Sequence, residues 1–533
     1  MSTCSGKASE LAKGVVGVAS IVLLGMACGA PLLAAPPALP LDHGAWFAER
    51  FAAADDEAVV NLVPNSQAAA WLAEEAPRFD CPSTRLVETY YFRWWSYRKH
   101  IKATPDGRVL TEFITPVSHA GAFNTIACAI GHHVAEGRWL RDRGLLDEYL
   151  RFWFRKGSGE GGVQPHLHKF SGWIAAAIDQ RRRVSGDDTL AFELLDDLVA
   201  DYERWEVERQ LPSGLFWQRD VSDGMEESIS GGRRVQNIRP TINSYQVGNA
   251  RAIAAIARDA GRFDLADEYE QKALVLAEES VAAMWDVEAK FFKVRLESGA
   301  LTDAREAIGY IPWLYGVARP EHAEAWRQIK DHDGFWAPAG LTTAERRHPS
   351  FRTHGVGTCE WDGAVWPFAS CQTLGALANV LRGPAQPWVT RRDYLEQLLR
   401  YAESHQQSGV PYLGEYLDEV TGEWLITGPK ERRSRYYNHS TFCDLVISGL
   451  AGVVPQPDDT VVIDPLLPTD TWDWFCLDGV PYHGRTLTVI WDRNGTRYGL
   501  GAGLSVMADG KVLASAPGLT RLTASLPKTQ EQP

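Results

Sequence analysis

A mainly helical fold, a closed ring of paired helices with a small β-sandwich after it, is what the sequence predicts, and three observations predict it. Apolar residues recur at three- and four-residue spacing from about residue 122 to 452. The loops between those segments alternate between short and long, and the long ones are rich in Gly and aromatic residues. Beyond Pro455 the pattern changes to short apolar runs separated by turn formers such as Asp492-Arg493-Asn494-Gly495 and Ala508-Asp509-Gly510. No fixed period supports a solenoid instead.

Taken in order, residues 1–35 have the form of a signal peptide. Lys7 and Lys13 supply positive charge, residues 15–33 are mostly apolar or small, and Ala30, Ala34 and Ala35 offer a cleavage site. The expected location is exported, periplasmic or extracellular. Lipid attachment at Cys28 is a variant that Gly25, three positions before it, disfavours. Residues 36–120 form a mixed N-terminal segment around the aromatic run Tyr90 to Tyr97, with a hairpin at Pro105-Asp106-Gly107. Residues 121–455 carry the ring, with helices over 140–154, 169–184, 187–206, 240–259, 262–285, 362–382, 388–406 and 436–450. Residues 456–533 form the β-domain, with strands at 460–463, 486–491, 504–507 and 519–526. After the leader no apolar run reaches the roughly 20 residues of a membrane span.

Charge and motifs exclude several classes of function. The 54 Lys and Arg against 68 Asp and Glu leave a net charge of -14, without the basic stripe that neutralises nucleic-acid phosphates. The chain lacks a phosphate-cradling GxxxxGK, an HExxH, a GxSxG and a dinucleotide-type GxGxxG. No cofactor is implied, and no metal: His132-His133 and the pair His166 and His168 lack a third ligand at recognisable spacing. The six Cys beyond the leader, Cys81, Cys128, Cys359, Cys371, Cys443 and Cys476, contain no CxxC and read as buried thiols.

What remains is acidic residues set among aromatics. Asp223-Gly224-Met225-Glu226-Glu227-Ser228 follows Trp217; Glu360-Trp361-Asp362-Gly363-Ala364-Val365-Trp366-Pro367 opens a helix; Gly414-Glu415-Tyr416-Leu417-Asp418-Glu419 runs on to Trp424. Hydrolysis of a glycosidic bond needs one carboxylic acid to protonate the leaving oxygen and one carboxylate to activate water or attack. Flat apolar faces beside hydrogen-bonding carboxylates also suit a sugar ring. Of the 20 Trp, most read as structural, including Trp139, Trp153 and Trp285 on or beside predicted helices, whereas Trp217, Trp361, Trp366 and Trp424 lie beside these loops.

At these residues the chain resembles the (α/α)6-toroid glycosidases that include trehalases, glycoside hydrolase family 63 and the mannosylglycerate hydrolases, over about residues 115–455. Gly162-Val163-Gln164-Pro165-His166 resembles a Gly-x-Ile-Pro segment of that group, with Gln164 in place of the aliphatic residue. Gly224-Met225-Glu226-Glu227-Ser228 resembles Gly-Met-Asp-Asn-Ser, whose Asp is the general acid, so the resemblance puts Glu226 in that role. Trp361-Asp362-Gly363-Ala364-Val365-Trp366-Pro367 resembles Trp-Arg-Gly-Pro-Val-Trp-Pro of the sugar pocket, with Asp362 in place of Arg. Glu415-Tyr416-Leu417-Asp418-Glu419-Val420-Thr421-Gly422 resembles Glu-Tyr-Tyr-Asp-Pro-x-Thr-Gly, whose Glu is the general base, which places Glu415 there. Because Glu226 is one methylene longer than the usual Asp, Asp223 and Glu227 remain alternative acids, and the early Trp-Asp pair of the group has no match near Ala122-Phe123-Asn124.

The resemblance implies an exported inverting exo-glycosidase acting on a carbohydrate, with Glu226 and Glu415 catalytic. Trp361, Trp366 and Tyr416 are the expected stacking residues, and Asp362, His166 and Asp223 the expected polar contacts. The alternatives are a non-catalytic carbohydrate-binding protein, or a sugar epimerase or lyase on the same scaffold with His166 or His439 as base.

Overall fold

Pro240 opens helix Pro240–Asp259 at the position where its fixed φ suits the first turn and its missing N–H is no loss. This helix is buried on almost every side. Its neighbour Phe263–Met284 buries a single stripe, Ala266, Tyr269, Ala273, Leu276, Ala277, Ser280 and Met284, the spacing of a helix with water on its outer face. The same contrast separates Pro367–Arg382, buried along most of its length, from Arg391–Glu403, which starts with a Thr390–Asp393 capping box and keeps its charged face outward. Inner and outer helices thus alternate along the chain.

The computed structural model describes residue 41 and residues 43–155, 166–355 and 359–527. The expected signal peptide, 1–35, and the stretch 162–165 of the Gly-Val-Gln-Pro motif lie outside the described residues. The described residues belong to one compact unit, rich in helix, with a small β-sheet region. Among them no helix is long and apolar enough to cross a membrane.

The inner elements pack in sequence. Ile130–Gly137 lies on Ile174–Ser185, that on Pro240–Asp259, that on the 3-10 segment Ala307–Trp313, that on Pro367–Arg382, and this last on the π-helical turn Leu445–Leu450. Buried Glu136 returns the circuit to its start. Its carboxylate accepts the backbone N–H groups of Phe442 (3.1 Å), Cys443 (3.0 Å) and Asp444 (2.9 Å), and Arg93 from helix Thr84–Lys99 stands 3.8 Å away. At Gly449 a Cβ would sit 1.8 Å from the Tyr394 hydroxyl, which donates to Leu445 O (2.8 Å), so only glycine lets the outer helix come this close.

Two antiparallel sheets make up the β region. The larger runs Arg78–Asp80, Trp474–Tyr482, Arg485–Asp492, Gly503–Ala508, Lys511–Ala516, and the smaller Val453–Val454, Thr460–Ile463, Leu522–Ser525. The early segment is therefore woven into the rest: Arg78–Asp80 pairs with Trp474–Tyr482, and Thr84–Lys99, which holds the Tyr90 to Tyr97 run, packs on Arg391–Glu403.

The expected hairpin is present as Ile101–Thr104 and Gly107–Leu110. Helix 240–259 and strand 460–463 begin and end where the sequence places them. Four expectations need correction, the first being that the helix over 169–184 starts only at Ile174. The helix over 187–206 is two, Thr189–Glu193 and Leu195–Arg209. That over 362–382 starts at Pro367, because Pro367 is a first-turn residue and the residues before it form the loop. That over 436–450 starts only at residue 443, with Glu136 capping the amides of residues 442–444, and continues as the π-helical turn Leu445–Leu450. The six cysteines are free, five of them buried and Cys359 partly exposed.

Glu136→Ala would strand these N–H groups beside a buried guanidinium. Breaking such a buried charged contact costs about 3–5 kcal/mol, so the variant is expected to show a clearly lowered urea midpoint, with Glu136→Gln, which keeps one acceptor, in between.

Candidate active site

The acidic loop after Trp217 is built on Asp223. Its carboxylate is fully buried and binds Arg239 Nε (2.5 Å) and the Thr241 hydroxyl at the start of helix Pro240–Asp259. That anchor fixes the next residues. Gly224 turns with φ +71°, Met225 goes into the core, and Glu226 lines a cavity of about 410 Å³. Glu227 takes a left-handed φ of 65°, costly for a side chain with a Cβ, and points to Arg233 (3.0 Å) at the surface.

Glu415 reaches the same cavity from another loop. Val365 and Leu417 exchange backbone hydrogen bonds (3.0 Å each way), which holds the two acidic-aromatic loops together, and Leu425 N–H donates to Tyr416 O (3.0 Å) within the second of them. Arg352 reinforces them through Glu360 (2.8 Å) and Glu419 (2.6 Å). The Glu415 carboxylate is met by Arg433 Nη2 (3.0 Å) and the Ser434 hydroxyl (3.1 Å).

The two carboxyl groups have different surroundings. Burial, with the negative charge of Glu415 nearby, raises Glu226 to about 7, and among the described residues no cation forms an ion pair with it. Burial also raises Glu415, but Arg433 and Ser434 pull against it and favour the ionised form. One carboxyl group is thus suited to hold a proton near neutrality, and the other alone has a cation and a hydroxyl group that oppose the effect of burial.

The aromatic residues are arranged differently from the expectation. Trp361, Trp366 and Tyr416 stack in series, with centroids 4.5 and 4.6 Å apart and interplanar angles of 24° and 19°. Trp366 lines the cavity, but both its faces are covered by protein rings, so it offers an edge; Trp361 and Tyr416 are its buried clamps. Trp217 lies against Arg209, and Trp424 is buried against Tyr412. The polar contacts shift as well. Asp362 is fully buried and accepts from Thr353 N–H (2.8 Å), His354 N–H (3.0 Å) and His354 Nδ1 (2.8 Å), a loop-building role in place of a wall position. His166 opens the turn that brings Lys169 and Phe170 to the wall and is not itself a lining residue, nor is Asp223. His133 and His168 are engaged by Tyr149 and Asp201 (2.8 Å each).

Sequence reasoning missed Glu112, Phe368, Arg433 and Tyr437, all on the cavity wall, and gave His439 only an alternative role. His439 is buried, held neutral by burial, and its Nε2 has no partner among the described residues. For Glu112 a signal existed: a lone carboxyl group within the apolar run Val109 to Ile114.

With this geometry in view, comparison with known proteins gives the class first. Residues 122–440 match the model for the mannosylglycerate hydrolase MGH1-like glycoside hydrolase domain, and residues 456–514 that for the glycosyl hydrolase family 65 C-terminal domain. The chain belongs to the MGH1-like glycoside hydrolase family. A solved structure titled "Sialidase" is 48% identical with a TM-score of 0.88, covering 90% of this chain and 44% of that one; this chain thus spans less than half of that protein. Two rhamnosidases share the fold. That of glycoside hydrolase family 78 from Bacillus sp. GL1 is 16% identical (TM-score 0.56, 81% of this chain and 42% of that one). The α-L-rhamnosidase of Streptomyces avermitilis complexed with L-rhamnose is 11% identical (TM-score 0.53, 82% and 38%).

Removing the Asp223 carboxylate leaves Arg239 buried and unpaired, so Asp223→Ala is expected to cost about 3–5 kcal/mol. Glu227→Ala removes a surface pair and is expected to stay within about 1 kcal/mol. Urea midpoints of the two variants check both expectations.

Proposed function

We propose that the protein is an inverting exo-glycosidase that hydrolyses a glycosidic bond in an oligosaccharide or small glycoside. The observation that carries this reading is that Glu226 and Glu415 line one cavity in environments that separate their protonation. Glu226, which forms no ion pair among the described residues, keeps its proton and delivers it to the leaving oxygen. Glu415, oriented by Arg433 and Ser434, takes a proton from water attacking the opposite face of the ring. The cavity, at about 410 Å³, is in the range of small-ligand pockets, which fits attack on a terminal sugar. The circuit of inner helices with outer partners is, in this reading, an (α/α)6 toroid, and the two sheets form the β-sandwich. The leader composition supports export to the periplasm or beyond.

A panel of 4-nitrophenyl glycosides of common sugars tests the reading. On the glycoside turned over, kcat/KM should fall as pH rises through about 7, because Glu226 must be protonated to act and its proton is lost there. Glu226→Gln should lower kcat by about 10²–10⁴ and remove that limb, with a smaller loss on a 2,4-dinitrophenyl glycoside, whose leaving group needs no proton. Glu415→Gln should lose turnover on both. Wild-type turnover in both variants, or a panel bound without turnover, would contradict the assignment.

A further inference from the structure

One wall residue of the cavity is used by neither carboxyl role. Glu112 precedes the span matched to the family model, 122–440, and stands outside the three acidic loops. Its backbone is held on two sides: Glu112 N–H donates to Asn124 O (3.2 Å) and its carbonyl accepts from Asn438 N–H (2.9 Å). The preceding residue is fixed too, with Thr111 N–H on His100 O (3.0 Å) and the Thr111 hydroxyl 3.0 Å from His100 Nδ1. The side chain is therefore delivered to the wall from a rigid strand end and is only 2% exposed.

Among the described residues no cation forms an ion pair with this carboxyl group, although Lys169, His119 and Arg433 line the same cavity. Its protein contacts are the Tyr437 hydroxyl and the Cys128 thiol, 3.7 Å from Oε2. Arg433, the arginine of the same wall, is committed to Glu415. A buried, unpaired carboxylate is costly, and such a group neutralises instead. Burial and the nearby Glu415 and Glu226 raise Glu112 to about 8, which leaves a neutral acid with one O–H donor and one carbonyl acceptor on a cavity wall. An apolar residue would serve packing better, so the polar group points to something that enters the cavity.

We propose that Glu112 is a sugar-contact residue, holding a hydroxyl group of the same ring on which Glu226 and Glu415 act. The inference rests on the glycosidase reading of the cavity. It is tested with the 4-nitrophenyl glycoside turned over fastest in the panel above. Glu112→Met keeps the volume and removes the polar group; it should raise KM at least tenfold, keep kcat within threefold and leave the melting temperature unchanged or higher. Glu112→Gln keeps a donor and an acceptor and should stay within threefold of wild type in KM. An unchanged KM in Glu112→Met overturns the proposal, as does a loss of kcat in Glu112→Gln as deep as that of Glu226→Gln, which would make Glu112 a proton donor. If Glu226→Gln and Glu415→Gln keep wild-type turnover, the glycosidase assignment itself fails, an outcome separate from either result at Glu112.

Discussion

The carboxylate of Glu136 joins two parts of the chain about 300 residues apart, and the remaining architecture depends on that junction. A row of inner helices covered by outer ones has two ends that must either meet or expose apolar surface. Glu136 makes them meet by accepting three backbone N–H groups at residues 442–444, where a helix beginning would otherwise bury unsatisfied donors. Arg93, carried by the early helix Thr84–Lys99, stands beside it and donates to Ser440 Oγ (3.1 Å), so the N-terminal segment is part of the closure. Closure also sets where the cavity is, because residues 437 and 439 of its wall lie just before the capped amides.

The cavity itself depends on charges buried away from it. Asp223 with Arg239, Asp362 with the amides of residues 353 and 354, and Arg352 with Glu360 and Glu419 hold the three acidic loops. Each of these carboxylates is engaged within the protein, and none of them lines the cavity. Glu226 is the contrast. No cation is paired with it among the described residues, and its own backbone turns sharply on either side, at Gly224 and at Glu227. Withholding a cation from Glu226 favours its protonated form, whereas supplying Arg433 and Ser434 to Glu415 favours its ionised form.

How far the sequence shows this depends on whether a feature is local. Helix Pro240–Asp259 was legible because a first-turn proline and unbroken apolar spacing are written in its own residues, and the hairpin at residues 101–110 because its turn is. The late start of the helix within 436–450 was not legible, since the cap on its first amides is Glu136, about 300 positions away. The acidic loops were found by composition, but their members could not be ranked. Asp223, Glu226 and Glu227 look alike in sequence and are separated only by Arg239, Arg233 and the loop geometry. Trp361 and Tyr416 were expected to face a sugar, yet stacking on Trp366 satisfies their flat faces within the protein. Glu112 was passed over because it sits in an apolar run, where a lone acid reads as an interruption of a strand.

In the proposed reaction two carboxyl groups act from opposite faces of one sugar, with water as the nucleophile. The most direct measurement is proton NMR of the sugar first released from a 4-nitrophenyl glycoside, recorded before mutarotation. The first-formed anomer is expected to have the configuration opposite to that of the substrate. A product of retained configuration would contradict it, because it would require one of the two groups to attack the sugar in place of activating water.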